Sequence, residues 1–410
     1  MRLPVIALRN LARNRRRTLL SLLIVACGSA GLVVTAGFIR FSFQGLETTL
    51  IHGGLGHLEV LAAGSPTTAT ERSGVPDMED WEALRAGVEA VPHVRAASGT
   101  IHLTGIVSRG ERSAAFLALG TEPDRERRMG FEVKVRSGAD LPPERPAEGD
   151  DRVLLGTGLA RSLGAGPGDI VTLLAMTAGG TLNAMDMTVD GIVTTGLQDL
   201  DGRLLKLHLV SAQRLVESER VSSIVVTLHD TRDLATASAA ITTHLAGHKP
   251  ALSVLDWQAR APFYSQVRGL YTGIFWFLGG IIFLLVCLSA SNTLLMSVME
   301  RVREIGTLLA LGTSRRQVGL LILMEAQWLG LIGALLGGLV GLAISRAIDA
   351  AGVEMPPPPG AVDPIPLHLA LTPGDLGSTV ILMILVLSVA AVVPLARALR
   401  LRIVDALGHV

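Results

Sequence analysis

Charged and aromatic side chains are both scarce in this sequence. Of its 410 residues, 18% are charged and 4% are aromatic, whereas 49% are hydrophobic. The formal net charge is +0, so the chain has no basic field that would hold nucleic acid, and it has few rings on which bases could stack. A chain this apolar is unusual for a soluble enzyme. We therefore predict a membrane protein without a nucleic-acid partner.

Cysteine is nearly absent. The two cysteines, Cys27 and Cys287, both lie inside long apolar runs. Cysteines in such positions do not form the disulfide framework of a secreted module. The residues before Cys27 also resemble a lipoprotein signal, but the apolar run continues to Ile39, which a spanning helix needs and a cleaved signal does not. We therefore predict an uncleaved first membrane helix.

Motifs that bind nucleotide phosphates are missing as well. A P-loop needs a lysine followed by Ser or Thr, and the three lysines, Lys134, Lys206 and Lys249, are followed by Val, Leu and Pro. The run Gly156–Gly158 lacks the third glycine of a dinucleotide motif, because Arg161 occupies that position. We predict a tight turn at Gly156–Gly158, and a chain that is not itself an ATPase.

Metal-binding and catalytic patterns are also not found. His52 and His57 flank a glycine-rich turn, and His244 and His248 have the i, i+4 spacing of one helix face. A zinc site needs three or four ligands, and no Glu or Cys accompanies either pair in a known pattern. We predict that these are surface histidines and that the chain has no metal site. No Ser/His/Asp or Cys/His arrangement stands out, so we predict no catalytic residues and no cofactor.

Four long apolar runs are what the sequence has instead. A bilayer-spanning helix needs about 20 apolar residues, because hydrocarbon cannot satisfy free backbone groups. The predicted spans are residues 18–39, 269–299, 319–346 and 376–396. Glu325 lies inside the third span, and its burial must be compensated. We predict that Glu325 pairs near the cytoplasmic interface and has a structural role.

The positions of the arginines predict the orientation of these spans. Arginines are concentrated in the segments 1–17, 300–318 and 397–410, whereas residues 347–375 contain neither Lys nor Arg. Cytoplasmic segments retain Lys and Arg close to the helix ends. We predict a multi-pass protein of the inner (cytoplasmic) membrane with both termini in the cytoplasm. Residues 347–375 and the large insert 40–268 are then extracytoplasmic.

The insert 40–268 has the mixed pattern of an α/β domain. Short β-branched runs alternate with helical ones, and Pro142, Pro143 and Pro146 interrupt the chain. The predicted strands are residues 58–61, 94–103, 114–119, 152–155, 170–174, 187–193, 204–210, 224–228 and 252–255. The predicted helices are residues 77–91, 159–163, 212–219 and 234–245. A further helix is predicted to run from about Trp257 straight into the second span.

The most specific motif lies between the second and third predicted spans. It reads ERVREIGTLLALGTSRR from Glu300 to Arg316, a short charged amphipathic stretch between two apolar runs. It resembles the coupling helix of the MacB/FtsX/LolC-type ABC transporter permeases, whose pattern is E-R-x-R-E-I-G followed by A-L-G-x-x-R-R. The predicted ATPase-coupling residues are Glu300, Arg301, Arg303, Glu304, Ile305, Gly306, Leu311, Gly312, Arg315 and Arg316.

The resemblance covers essentially the whole chain. The runs LLGTGLA from Leu154, GDIVTL from Gly168 and PLARALR from Pro394 are similar to family sequences. It implies a four-helix membrane protein whose extracytoplasmic α/β domain consists of a porter-like half and a β-rich inserted subdomain. Residues 1–17 are predicted to form a basic amphipathic helix on the inner leaflet. In the family such a helix also helps to cradle the ATPase.

Small residues recur on one face of the third predicted span. Gly333, Gly337 and Gly341 follow one another at a spacing of four residues. Small side chains on one face allow two helices to approach closely. We predict that this face packs against another span or against a partner subunit, with Glu325 on the same helix.

The resemblance also implies the function and the partners. The chain would be a permease subunit that couples ATP hydrolysis by separate cytoplasmic ATPase subunits to movements of the extracytoplasmic domain, with ATP bound only by the ATPase. It would work in the lipid membrane as a homodimer or as a heterodimer with a second permease, together with a periplasmic chaperone or adaptor. Lipoprotein release of the LolC/LolE type is favoured. The alternatives are a MacB-like efflux permease and FtsX-like signalling to a cell-wall hydrolase.

One segment departs from the LolC pattern. The predicted strands that end near Leu174 and start near Met187 are joined by a short connection containing Gly179 and Gly180. A LolC-like permease carries there a longer, proline-containing hairpin that hooks its lipoprotein chaperone. The departure favours a LolE-like partner permease or a different exporter.

Overall fold

The computed structural model describes residues 3–13, 15–65, 76–131, 134–196, 198–355, 365–369 and 371–400. These residues fall into two compact units. The helical unit takes its described residues from Met1–Gln44, Arg268–Met355 and Pro366–Val410, and the α/β unit takes its own from Gly45–Val267 and Pro356–Ile365. Parts of the predicted loop 347–375 and of the predicted tail 397–410 lie outside the described residues.

Fourteen α-helices and twelve strands are found in the described part of the chain. The helices are α1 (Leu3–Arg13), α2 (Arg15–Leu50), α3 (Trp81–Glu89), α4 (Pro123–Met129), α5 (Thr157–Leu163), α6 (Gln198–Asp201), α7 (Leu209–Val216), α8 (Leu234–His244), α9 (Trp257–Arg260), α10 (Pro262–Glu300), α11 (Val302–Ala310), α12 (Arg315–Ala351), α13 (Pro373–Ala390) and α14 (Val392–Leu399). The strands are β1 (Leu58–Ala62), β2 (Val94–Arg109), β3 (Arg112–Thr121), β4 (Lys134–Gly138), β5 (Arg152–Gly156), β6 (Ile170–Met176), β7 (Leu182–Thr194), β8 (Leu204–His208), β9 (Ser223–Leu228), β10 (Leu252–Asp256), β11 (Glu354–Met355) and β12 (Ile365–Pro366).

Four helical segments are long and apolar enough to cross a membrane. They are Thr18–Leu55, Pro262–Glu300, Arg315–Ala351 and Pro373–Leu399. Within the helical unit, buried side chains from α2, α10, α12 and α13 form one apolar cluster, which includes Val25, Val286, Leu329 and Leu387. The predicted fold class, four candidate membrane helices with a large α/β domain inserted after the first, is confirmed.

Two predicted helices are interrupted by proline. The helix predicted to run from Trp257 into the second span ends at Arg260, and Pro262 begins α10. The α conformation is disfavoured for a residue that precedes proline, and Ala261 accordingly has φ −119° and ψ 69°. The predicted fourth span is divided at Ala391 into α13 and α14, because the ring of Pro394 clashes with the carbonyl group four residues earlier.

The α/β unit is built on one mixed sheet. Its order is β10-β1-β9-β2-β3-β8-β5-β7-β4, and β6 pairs with both β2 and β7. Strand β2 is 16 residues long. Residues from Val94 to Thr100 pair with β9, and residues from Gly105 to Ser108 pair with β6. The pairs β3–β8 and β5–β7 are parallel, and the other strand pairs of this sheet are antiparallel.

The core of the α/β unit lies between this sheet and helices α3, α5, α7 and α8. Apolar side chains from every one of these helices are buried against the strands, including Val88, Leu159, Leu215 and Ile241. Strand β9 is buried along its whole length, as expected for a strand whose two faces are both covered. The predicted alternation of strands and helices is therefore found, with shifted boundaries.

Three of the boundary shifts have local causes. The predicted strand 204–210 ends at His208, because the His208 imidazole caps α7 by accepting a hydrogen bond from the Val210 N–H. Helix α7 therefore begins three residues before the predicted 212–219 helix. The predicted helix 77–91 begins only at Trp81, because Asp80 has a left-handed φ of 48°. Helix α4 and strand β4 were not predicted.

His57 contradicts the prediction of surface histidines. Its side chain is buried, and its Nδ1 accepts a hydrogen bond from the Leu228 N–H. Its Nε2 lies 3.1 Å from Thr231 Oγ1. Burial, assisted by the nearby His52, lowers the pKa of His57 to about 4, so the ring is neutral. His57 is therefore part of the core of the α/β unit.

Candidate functional site

The predicted coupling segment 300–318 is not one helix. Helix α10 ends at Glu300, and Arg301 has non-helical angles, with φ −112° and ψ 16°. Helix α11 then occupies nine residues, Val302–Ala310, and Gly312 turns the chain with a φ of 91°. Ser314 begins α12 with a capping box that it shares with Gln317. Arg315 and Arg316 therefore lie in the first turn of α12.

One face of α11 attaches the helix to its own chain. Val302 and Ile305 are buried, and Ile305 packs in a cluster with Val318 and Ile322 of α12. Gly306 is buried on the same face of α11. Burying one Val or Ile side chain contributes about 1.5–3 kcal/mol, so this contact fastens α11 to α12. Ile305 and Gly306, two of the predicted coupling residues, point toward the helical unit itself.

The other face of the segment is exposed. Leu311 is a large apolar residue in the turn after α11, and 80% of its surface is accessible. The predicted coupling residues on the exposed face are Arg303, Glu304, Leu311, Gly312, Arg315 and Arg316. Glu300, the last residue of α10, is also exposed. The structure thus divides the ten predicted residues into two buried residues, seven exposed residues and the half-buried Arg301.

A polar network joins helices α1 and α12 to Arg301, the residue that precedes α11. The Glu325 side chain on α12 is buried, and its Oε1 accepts hydrogen bonds from Arg301 Nη1 at 2.9 Å and from Asn10 Nδ2 at 2.6 Å. Arg301 Nε also donates to Glu304 Oε2 at 2.9 Å. The Arg301 guanidinium therefore connects the buried carboxylate of Glu325 to the exposed face of α11. Asn10 brings helix α1 into the same network.

Sequence reasoning found Glu325 but missed two other polar contacts of the helical unit. Asn10 was not singled out, because it follows Arg9 in a basic amphipathic helix and is not an unusual residue there. Arg40 on α2 also pairs with Asp375 at the start of α13, with Nη1–Oδ2 2.7 Å and Nη2–Oδ1 2.6 Å. Asp375 and Thr372 form the capping box of α13. The signal for Arg40 and Asp375 is that each is a charge next to a long apolar run.

The glycines of α12 lie against the first long helix. A Cβ atom on Gly333 would stand 2.5 Å from Val25 Cγ1, and one on Gly341 would stand 3.1 Å from Val33 Cγ1. A Cβ atom on Gly337 would overlap the carbonyl oxygen of Ala26. The predicted small-residue face therefore packs against α2 of the same chain, rather than being left open for a partner subunit.

The coupling segment is fixed on one side and exposed on the other. Within the described ranges, no group of three or more His, Cys, Asp or Glu side chains could hold a metal ion. The segment instead offers a short helix fixed on one side by apolar burial and a charged network, with charged and apolar groups exposed on the other side. Such a helix can transmit a force applied to its exposed face to α12 and α1.

Comparison with known families identifies the chain. Residues 18–244, more than half of the sequence, match the family model of the MacB-like periplasmic core domain. Residues 276–403 match the model of the FtsX-like permease C-terminal region. The chain belongs to the FtsX-like ABC transporter permeases with a MacB-like core. Both α11 and the Glu325 network lie largely within the FtsX-like region of this permease.

Individual relatives agree with the assignment. The permease is 26% identical over 362 residues to the lipoprotein-releasing system transmembrane protein LolC of Xylella fastidiosa, covering 84% of this chain and 82% of that protein. It is 22% identical to LolE of Haemophilus influenzae, covering 73% and 70%. It is 28% identical to the macrolide export ATP-binding/permease protein MacB of Rhodospirillum rubrum, covering 85% of this chain but 53% of that protein. Membership of an ABC transporter family implies an ATPase partner.

Proposed function

We propose that this permease releases lipoproteins from the outer leaflet of the inner membrane, driven by ATP hydrolysis on a separate cytoplasmic ATPase. The observation that carries the proposal is the similarity to lipoprotein-releasing permeases over most of both chains. The alignment with LolC of Xylella fastidiosa spans 84% of this chain and 82% of that protein, at 26% identity. Residues 1–410 contain no P-loop lysine, so the proposal assigns ATP hydrolysis to the ATPase.

The exposed face of the coupling segment supplies a docking site for the ATPase. The arginine distribution favours a cytoplasmic position for residues 300–318, on the side of the membrane where an ABC ATPase binds its nucleotide. Leu311 gives the face an apolar side chain to bury, and Arg303 and Glu304 give it charges of both signs. Charged groups set the register of an interface, and burial of an apolar side chain adds to the affinity.

The Glu325 network carries the movement of the ATPase inward. A push on α11 acts on Arg301, which is hydrogen-bonded to Glu325 of α12, and Glu325 is hydrogen-bonded to Asn10 of α1. The small-residue contact then links α12 to α2. A coupling of a few kcal/mol is enough to switch two packed states of such a bundle. The moving bundle changes the extracytoplasmic domain, which handles the lipoprotein.

The partners follow from this function. A second permease subunit, either a copy of this chain or a LolC/LolE-type partner, completes the transporter, and a periplasmic chaperone receives the lipoprotein. The connection between β6 and β7 is only Thr177–Thr181, in agreement with the short loop predicted from the sequence. In a heterodimer, the second permease would then carry the contact with the chaperone.

Depletion of this chain from cells that depend on it tests the proposal. Mature lipoproteins should accumulate in the inner-membrane fraction, and re-expression of the wild-type chain should restore their normal distribution. An unchanged lipoprotein distribution would contradict the proposal. Sensitivity to macrolides alone would then indicate efflux, and a cell-separation defect alone would indicate signalling to a cell-wall hydrolase.

A further inference from the structure

The α/β unit contains a fully buried carboxylate that the functions above do not use. Glu59 lies on β1 between β9 and β10, and none of its surface is accessible. Its Oε2 lies 2.6 Å from Arg260 Nε, and its Oε1 accepts a hydrogen bond from Ser223 Oγ at 2.5 Å. Arg260 is itself almost completely buried. A charge removed from water this completely needs a partner, and each of these two charges has the other.

Arg260 occupies a special place along the chain. It is the last residue of α9, two residues before Pro262 begins the long helix α10. Its Nη1 donates a hydrogen bond to the carbonyl oxygen of Leu55, which ends the helical turn Ile51–Leu55 that continues from α2. The Arg260 guanidinium therefore contacts the end of the helical turn that continues from α2 and a buried strand of the sheet, while its own backbone lies directly before α10.

Neighbouring contacts fix the same junction to the sheet. The Trp257 N–H donates to the His57 carbonyl oxygen at 3.1 Å, and the His57 N–H donates to the Val226 carbonyl oxygen at 2.9 Å. The buried Trp257 ring packs against Tyr264 in the first turns of α10, with ring centroids 4.6 Å apart. The backbone around Arg260 is thus tied both to β9 and to the beginning of α10.

We propose that Arg260 is a positioning residue that locks the ends of α2 and α10 to the sheet, so that movement of these two helices is carried into the α/β unit. The proposal rests on the proposed ATP-driven function. A buried ion pair is weak evidence for stability, because apolar residues of similar volume often stabilise a core equally well. An arginine, however, presents several donors in one rigid plane and can hold Glu59 and Leu55 in a fixed geometry. A lysine has a single charged nitrogen on a flexible stem.

The variant Arg260→Lys separates the positioning role from charge balance. The lysine keeps a positive charge opposite Glu59, but it lacks the second nitrogen that donates a hydrogen bond to the Leu55 carbonyl oxygen. Spin labels are placed on cysteines at Glu82 on α3 and Ser265 on α10, both exposed, after Cys27 and Cys287 are replaced by serine. The distance between the labels is measured in the full transporter in lipid nanodiscs, without nucleotide and after trapping with ATP and vanadate.

The wild type should give one narrow distance that is the same in both states, because the junction moves as a rigid body. In Arg260→Lys the distribution of label distances should broaden. The complex that contains this variant should still hydrolyse ATP but should no longer release lipoprotein. A wild-type distance that is broad or that changes on trapping would overturn the proposal, whether or not the variant folds. If Arg260→Lys shows the same narrow label distance as the wild type and releases lipoprotein normally, the proposal is also overturned.

A second buried ion pair provides the matched control. Lys206 Nζ lies 2.6 Å from Glu126 Oε2, away from the junction, and both side chains are about as buried as Arg260. Lys206→Met combined with Glu126→Gln should leave the label distance unchanged. A broadened distance in this control would overturn the proposal, because it would show that disturbing a buried ion pair elsewhere has the same effect. Absence of ATP hydrolysis in the wild-type complex would contradict the proposed function, while the nucleotide-free comparison still tests Arg260.

Discussion

Glu325 combines a buried position with a charged side chain, and its surroundings explain how this is tolerated. The carboxylate accepts hydrogen bonds from Arg301 and Asn10, so it is both paired and solvated by protein groups. An ionised carboxylate in an apolar helix without such partners would be strongly destabilising. Its two partners lie on different elements from Glu325 itself. The residue therefore fastens α11 and α1 to α12.

Glu325→Gln should weaken this attachment. The amide keeps the size of the side chain but removes the charge opposite Arg301, and a hydrogen bond to a charged group contributes about 2 kcal/mol. We expect a lower free energy of unfolding by about that amount, measured on the purified protein in detergent micelles. Glu354→Gln, at an exposed carboxylate, is the control and should change stability by less than about 0.5 kcal/mol. Equal stability of Glu325→Gln and the wild type would show that the network is not stabilising.

The sequence allowed Glu325 to be predicted but not its partners. A single carboxylate in an apolar run can be recognised from the sequence alone. Its partners cannot, because Asn10 is 315 residues away and Arg301 is one of many arginines. Glu59 and Arg260 were missed for the same reason, because they are 201 residues apart and meet only through the strand order. The turn at Gly156–Gly158 was predicted, and the structure explains why its last residue is a glycine. A Cβ atom on Gly158 would stand 2.8 Å from Gly202 Cα.

Helix α11 and the turn that follows it carry two apolar residues with opposite expected roles. Ile305 is buried against α12, whereas Leu311 is exposed in the turn that follows. Ile305→Ala should lower the free energy of unfolding by about 2–4 kcal/mol, because it leaves a cavity. Leu311→Asp should leave stability nearly unchanged and prevent the ATPase from co-purifying with the permease. Both properties are measured on the same preparations, so each variant controls for the other.

The docking prediction can be contradicted by the behaviour of Leu311→Asp and of a second variant of the exposed face. Normal co-purification of the ATPase with Leu311→Asp, and with the charge inversion Glu304→Lys, would show that the exposed face of α11 is not the docking site. Loss of the ATPase together with a loss of stability in Leu311→Asp would show only a folding defect. The docking assignment requires loss of the ATPase from a protein that is as stable as the wild type.

The contact between α12 and α2 predicts a strong effect of a single methyl group. Gly337→Ala would place its Cβ atom against the Ala26 carbonyl oxygen, so the helices must separate and the melting temperature in detergent should fall. Gly280→Ala is the matched control, since nothing lies within 4 Å of the added atom and alanine favours a helix by about 1 kcal/mol. A Gly337→Ala variant that melts at or above the wild-type temperature would refute the close packing.

The existence of most elements was predictable, and their ends were not. Apolar runs and β-branched alternation identified the four long helices and nine strands of the sheet. The boundaries depended on local interactions that hydrophobic periodicity does not reveal, such as the His208 cap and the left-handed backbone of Asp80. Strand β4 is exposed along its whole length, so it lacks the buried apolar alternation that identifies a strand.

The orientation of the chain in the membrane is a prediction about all four spans together. It depends on the arginine-rich ends and on the loop 347–375, which has no Lys or Arg. In intact cells, a membrane-impermeant thiol reagent should modify a cysteine that replaces Glu354 but not one that replaces Thr313. The native Cys27 and Cys287 are first replaced by serine. Modification at Thr313 in intact cells would reverse the orientation and remove α11 from the side of the ATPase.

ATP-driven lipoprotein release by this permease is tested most directly in proteoliposomes. They contain the permease, its partner subunit, the ATPase and a fluorescent lipoprotein whose release is measured. The wild-type complex should release the lipoprotein to a soluble acceptor only when ATP is present. The Leu311→Asp complex should release none, and Leu200→Asp, at an exposed apolar residue of the α/β unit, should behave as the wild type. ATP hydrolysis without any release by the wild-type complex, or equal release by Leu311→Asp, would contradict the account.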